Sequence, residues 1–250
     1  MLSTLIYHIC SGFPLFFHKN FEKNCREREF TGAPGFHTIK LSMQRKRGAA
    51  DMAIDLWAAR LERPLTEQET ERILRILPPN RRERLMKLQQ EEKRREPLCA
   101  YLILCLALWE LYQWKGFPEM AENAMGKPYF PEYPAVHFNI SHTTGAVLVG
   151  VSDHPIGVDI ERIRPVSQRA MRRLADVSTE EAFFRNWVRR EARTKRSGNG
   201  IGTMMRSETP LQQGEFYYEL DTFSGYVAGV ATRDRSPLGP LRKYSLEELL

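Results

Sequence analysis

Regular alternation of apolar and polar positions starts only well into this chain. Residues 1–51 show neither a sustained helical period nor a strand-like alternation, even around Phe13-Pro14-Leu15-Phe16-Phe17. From Met52 the pattern changes, and residues 52–61 read as a first strand leading into a helix. Thr66 followed by Glu69 makes a capping box that predicts a helix over 67–77, with Leu65, Ile73, Leu74 and Leu77 as its apolar positions and Pro78-Pro79 as its end. A basic helix is expected over 81–95. Pro97 then suits the first position of a core helix running to Trp114, closed by Gly116 and Pro118.

Further on, Val136, Phe138 and Ile140 alternate with His137, Asn139 and Ser141 as in a half-buried strand. Residues 146–151 are nearly all apolar and read as an interior strand. Asp153-His154-Pro155 is a turn, followed by a strand over 156–163. Ser178 with Glu181 opens a helix reaching about Arg196 and closing at Gly198, and residues 216–220 and 226–231 form a strand pair around Ser224-Gly225. The prolines and glycine of 237–240 predict a loose end, with a short turn at Ser245-Leu246-Glu247-Glu248. Strands and helices joined by hairpin-like links indicate an α+β fold in two similar halves that meet near residues 153–157. The expected divisions are a non-native or flexible extension over 1–51, with Met52 as the natural start, then an N-terminal subdomain over 52–155, a C-terminal subdomain over 156–235 and a tail over 236–250.

Composition narrows the class. The longest apolar run, 98–109, is twelve residues, short of the roughly twenty a spanning helix needs, so a membrane role is not expected. The four cysteines include no CxxC pair and suit a reducing cytoplasm. A net charge of +6 calls for an anionic partner, whether nucleic acid, a phosphorylated small molecule or an acidic protein.

Two carboxylates, Asp159 and Glu161, stand two apart in Gly157-Val158-Asp159-Ile160-Glu161 and share one face of their strand. Held so, they repel unless a proton or a cation is shared, and a hard ion such as Mg2+ relieves that cost while bridging phosphate oxygens. Spacing alone also fits a solvent-facing strand edge. Trp187, Glu191 and Lys195 fall four apart on one helical face beside Arg190, which alone fits an ordinary i,i+4 ion pair.

The order of these pieces carries more than each does singly. Gly126-Lys127-Pro128, Phe138-Asn139-Ile140-Ser141-His142, Gly157 to Glu161, Trp187 to Lys195 and Gly198-Asn199-Gly200 together resemble the Sfp-type 4'-phosphopantetheinyl transferases over roughly residues 54–231. The resemblance implies two α/β subdomains related by a pseudo-twofold axis, with coenzyme A and Mg2+ between them. It implies metal ligands at Asp159, Glu161 and Glu191, and Glu191 also as the base for the carrier serine. Lys195 becomes a charge-neutralising catalytic cation, and Arg81, Arg84, Lys127, Ser141, His142 and Arg190 become coenzyme A contacts. The implied partner is an apo acyl or peptidyl carrier protein, met by a monomeric, cytoplasmic enzyme.

Departures from the family pattern stand at Arg190, where lysine is usual, and at Glu96-Pro97, where a basic residue and a small hydroxyl residue are usual. An acid at 96 would repel phosphate unless Arg94 or Arg95 serves in its place. The competing readings are a degenerate homologue that binds coenzyme A without turnover and a basic nucleic-acid-binding module; the latter leaves the Asp159/Glu161 pair without purpose. The start at Met52 predicts that intact-mass analysis of native protein finds Met52, and not Met1, at the N-terminus.

Overall fold

The structure is a computed structural model that describes residues 54–88, 90–198, 211–233, 235 and 237–250. The expected extension over 1–51 and the Asn199-Gly200 part of the glycine motif lie outside the described residues. Strand β1 (Ile54–Arg60) is followed by helices α1 (Glu67–Ile76) and α2 (Pro79–Met86), a 3-10 turn (Glu91–Arg94) and the core helix α3 (Arg95–Tyr112). A short ladder of β2 (Ala121–Glu122) and β3 (Pro128–Tyr129) leads into β4 (His137–Thr143), β5 (Ala146–Ser152) and β6 (Ile156–Arg162). Helices α4 (Gln168–Ala175) and α5 (Glu180–Ser197) precede β7 (Phe216–Leu220), β8 (Tyr226–Thr232), β9 (Leu238–Ser245) and α6 (Leu246–Leu249).

The architecture is mixed α+β. One sheet has the order β4-β5-β1-β9 and the other β6-β8-β7. Strand alternation explains the layering. Trp57 and Ala59 of β1 face α3, joining Leu98, Leu102 and Val149 in one core, while Ile54, Leu56 and Ala58 face the second sheet and meet Val158, Ile160 and Val230. Strands β1 and β5 are thus buried on both faces, which is why residues 146–151 are continuously apolar. The far face of the second sheet is covered by α5, with Phe184 and Val188 packed against Val227.

The capping box at Thr66 and Glu69 forms as expected, and Gly198 ends α5 at φ +70°. Three expectations change. The basic stretch 81–95 is not one helix: it stops at Met86, and the Arg94 guanidinium turns back to donate to the Leu88 carbonyl at 2.8 Å. Thr179, not Ser178, caps α5 through the Ala182 N–H. The end of the chain is not loose, because β9 pairs in parallel with β1 and Arg242 lies 4.7 Å over the Trp57 ring and 3.5 Å from the buried Asp55 carboxylate. The short turn expected at Ser245 is the one-turn helix α6 with its own capping box.

The two sheets meet along β4 and β6, and side chains make the junction. Asn139 Oδ1 accepts from Val158 N–H at 2.8 Å, Ser141 Oγ from Ile160 N–H at 3.3 Å, and Thr143 Oγ1 from Arg162 N–H at 3.5 Å. The constant offset shows that the strands run parallel, held one side chain apart. The Val158 and Ile160 N–H groups are buried and would each cost about 1–3 kcal/mol if left unpaired, so the polar side chains stand in for the missing backbone ladder.

On the face of β6 that carries Asp159 and Glu161, Gly157 lets α5 lie flush on the strand. A Cβ there would run into the Ala192 carbonyl oxygen and the Arg196 backbone nitrogen, both main-chain atoms that cannot swing aside. Gly157→Ala is therefore expected to destabilise the protein by about 3 kcal/mol or more, the upper range for overpacking, as measured by urea unfolding.

Candidate functional site

Flush packing of α5 on β6 brings a helix carboxylate over two strand carboxylates. Asp159, Glu161 and Glu191 each offer an oxygen within 4.8 Å of the other two. Asp159 is 2% exposed, while Glu161 and Glu191 are half-buried. The seam between the sheets orients the strand pair, since the Ser141 hydroxyl donates to Asp159 Oδ1 at 2.7 Å and the Thr143 hydroxyl to Glu161 Oε2 at 3.1 Å. One turn of helix orients the third, where Trp187 Nε1 donates to Glu191 Oε2 at 3.0 Å.

Lys195 sits among these acids. Its ammonium donates to Asp159 Oδ1 at 2.7 Å and to Ser141 Oγ at 2.9 Å, and it lies 3.4 Å from Glu191 Oε1. Arg164 donates to Glu161 Oε2 at 2.8 Å. Burial raises the Asp159 carboxyl to about 6; Lys195 opposes the rise and Glu191 adds to it. Lys195 itself is held above its ordinary value, because the attraction of Asp159 and Glu191 outweighs the larger single effect of burial, which lowers it. Asp159 Oδ2 is buried without a hydrogen-bond partner. Three converging carboxylates and an orphaned oxygen are a donor set that fits a hard divalent cation.

A cleft of ≈ 570 Å³ opens beside the cluster, lined by Arg81, Arg84, Lys93, Tyr101, Ile140 and His142 among others. Arg81 is buried and Arg84 exposed; both guanidiniums donate to Glu122, so two cations share one carboxylate and the wall keeps positive charge. Glu96 also lines this cleft. Burial raises its carboxyl, but Arg95, at 2.6 Å, and the Gly145 N–H, at 3.1 Å, outweigh that and leave it below its ordinary value. The acid at 96 is thereby neutralised by the adjacent Arg95, while Arg94 is spent on the end of α2.

The sequence expectations thus divide. Asp159, Glu161, Glu191 and Lys195 come together, and Arg81, Arg84 and His142 line one cleft. Lys127 points elsewhere, donating to the carbonyls of Ile156 at 3.0 Å, Lys195 at 2.7 Å and Arg196 at 3.4 Å. It caps the negative end of α5 and, through burial and the nearby Arg196, is lowered to about 8. Ser141 is buried and faces the carboxylates, and Arg190 donates to the Leu174 carbonyl at the end of α4. Thr143, Arg164 and Glu122 were not singled out in the sequence. The Asn139-x-Ser141-x-Thr143 period of two was the available signal for Thr143.

Comparison with curated proteins finds a 28% identity over 160 residues to the 4'-phosphopantetheinyl transferase Sfp of Bacillus subtilis, covering 59% of this chain and 71% of that protein. The 4'-phosphopantetheinyl transferase AcpT of Salmonella typhi is 30% identical over 130 residues, covering 43% and 65%. A 4'-phosphopantetheinyl transferase of Bacillus pumilus is 34% identical over 96 residues, covering 34% and 41%. No family model matches the chain.

A metal ion would bind the ionised form of Asp159, so protons compete with it only below the raised pKa. Mg2+ affinity measured by calorimetry is expected to be flat above about pH 7 and to fall by about tenfold per unit below about pH 6.

Proposed function

We propose that this chain, a homologue of the Sfp-type 4'-phosphopantetheinyl transferases, moves the 4'-phosphopantetheine arm of coenzyme A onto a serine of an apo acyl or peptidyl carrier protein and releases 3',5'-ADP. The observation that carries the reading is the convergence of Asp159, Glu161 and Glu191 beside a cleft walled by Arg81, Arg84 and His142.

In this reading the three carboxylates hold Mg2+. When bound, the ion supplies a positive charge that offsets the charge gathering on the pyrophosphate oxygens. The serine oxygen of the carrier attacks the β-phosphorus, the bond to 3',5'-ADP breaks, and Glu191 takes the serine proton. Trp187 donates to Glu191 Oε2 and Lys195 lies 3.4 Å from Oε1, so Oε1 is freed for that transfer when the ammonium turns away. Lys195 begins paired with Asp159 and turns its ammonium toward the leaving phosphate as charge develops.

Arg81, Arg84 and His142 receive the nucleotide phosphates, the fork of Arg84 being the more accessible of the two guanidiniums. Ser141 and Lys127 serve by position: one fixes Asp159, the other ties the end of α5 to β6. Arg190, held to α4, steadies the connector between Glu161 and Glu191. We read the halves 52–155 and 156–235 as the two pseudo-twofold subdomains, with β9 returning to the first sheet. Among the described residues no helix is long and apolar enough to cross a membrane, and we place the enzyme in the cytoplasm as a monomer.

Incubation with coenzyme A, Mg2+ and an apo carrier protein tests the reading directly: the carrier should gain the mass of one phosphopantetheine. Bound coenzyme A without transfer to any carrier would indicate a degenerate homologue. Salt-sensitive nucleic-acid binding without coenzyme A binding would indicate the other alternative. Glu191→Gln keeps the shape but removes the base, so kcat is expected to drop by about two to four orders of magnitude while calorimetric coenzyme A affinity is largely kept. Loss of affinity with normal turnover per bound coenzyme would make Glu191 a binding ligand only.

A further inference from the structure

The face of the second sheet that carries the acids holds one more polar group. Asp159 is paired directly with Gly229, and Gly229 with Glu219, so Tyr217, two residues before Glu219, projects from the same face. Gly229 leaves a gap that the tyrosine ring fills. A Cβ on Gly229 would come to 2.6 Å from ring Cζ and Cε2, and closer still to the hydroxyl oxygen. The hydroxyl therefore lies over the residue directly opposite Asp159. Arg189 of α5 stacks 5.9 Å from the ring centroid and fixes its plane. Glu219, on the same face, is taken by Arg185.

Tyr217 Oη and Asp159 Oδ2 are both buried without hydrogen-bond partners. Both groups project from one face of the sheet, the hydroxyl over Gly229 directly opposite Asp159, and each would cost about 1–3 kcal/mol if left unpaired. A water between them satisfies both. We propose that Tyr217 is a positioning residue for the carboxylate cluster: its hydroxyl donates through one bridging water to Asp159 Oδ2 and holds that carboxylate against the pull of Lys195. The inference rests on the reading of Asp159 as a metal ligand. Burial, with Glu219 and Asp159 nearby, pushes the phenol up, which keeps it a neutral donor.

Tyr217→Phe removes only the oxygen. Mg2+ affinity by calorimetry is expected to fall about tenfold, the lower range for loss of a group that orients a metal ligand. The KM for Mg2+ should rise by the same factor, with kcat at saturating Mg2+ and the melting temperature in EDTA little changed. A lower melting temperature with wild-type Mg2+ affinity would mean that the ring only packs, and would overturn the proposal. Asp159→Ala, run alongside, separates the two levels. If Asp159→Ala loses Mg2+ and Tyr217→Phe does not, the Tyr217 inference alone falls; if Asp159→Ala keeps wild-type affinity, the metal reading falls and takes the inference with it. Fluorotyrosine incorporated at 217 gives a second readout that keeps the hydroxyl. Its resonance should shift on Mg2+ addition in the otherwise wild-type chain and not with Asp159→Ala, and no shift in the former would also overturn the proposal.

Discussion

The structure turns on the seam where β4 and β6 run side by side without a backbone ladder. Asn139, Ser141 and Thr143 reach across it, each satisfying one backbone N–H of β6. Two of them do more: the hydroxyls that accept from the backbone donate to Asp159 and Glu161. A hydroxyl can do both at once, since it carries one donor and two acceptor lone pairs. The same residues that join the sheets therefore aim the strand acids, and fold and site cannot be altered separately at this seam.

A second constraint acts from the helix packed on the acid-bearing face of β6. Gly157 allows α5 to rest its backbone on β6, and Lys127 ties the end of that helix down through three carbonyls. Glu191 and Lys195 then project over Asp159 at fixed height. Burial alone would push the Asp159 proton up and the Lys195 proton off, but each group offsets part of that for the other. The resulting cluster is acidic in excess, and the neighbouring cleft is cationic. Such opposed fields side by side suit a metal and a polyphosphate that bind together.

Much of this was legible in the sequence. Two acids at i and i+2 on a strand and Trp187, Glu191 and Lys195 at helical spacing became one cluster because strand and helix periods fix those directions. What could not be read is which way a polar side chain turns at the boundary between two elements. Lys127 and Ser141 belong to recognisable motifs, yet they face carbonyls and carboxylates inside the protein. The closing strand was missed because Pro237, Gly239 and Pro240 read as breakers, whereas an edge strand such as β9 tolerates proline. Helix α4 was missed although it carries a short apolar stripe, Met171, Leu174 and Ala175, because at eight residues with three arginines it is too brief and too polar to stand out from a connector.

Strand seam and helix together bring Asp159, Glu161 and Glu191 into a donor set that fits a divalent cation. Crystals soaked in Mn2+ and recorded at its absorption edge test that fit without reference to any reaction. One strong anomalous peak is expected about 2.1 Å from an oxygen of each of the three carboxylates, the upper end of the range for Mg2+ and its oxygen ligands, with Lys195 displaced from Asp159. No peak there, with Lys195 still bonded to Asp159 at high Mn2+, would contradict it.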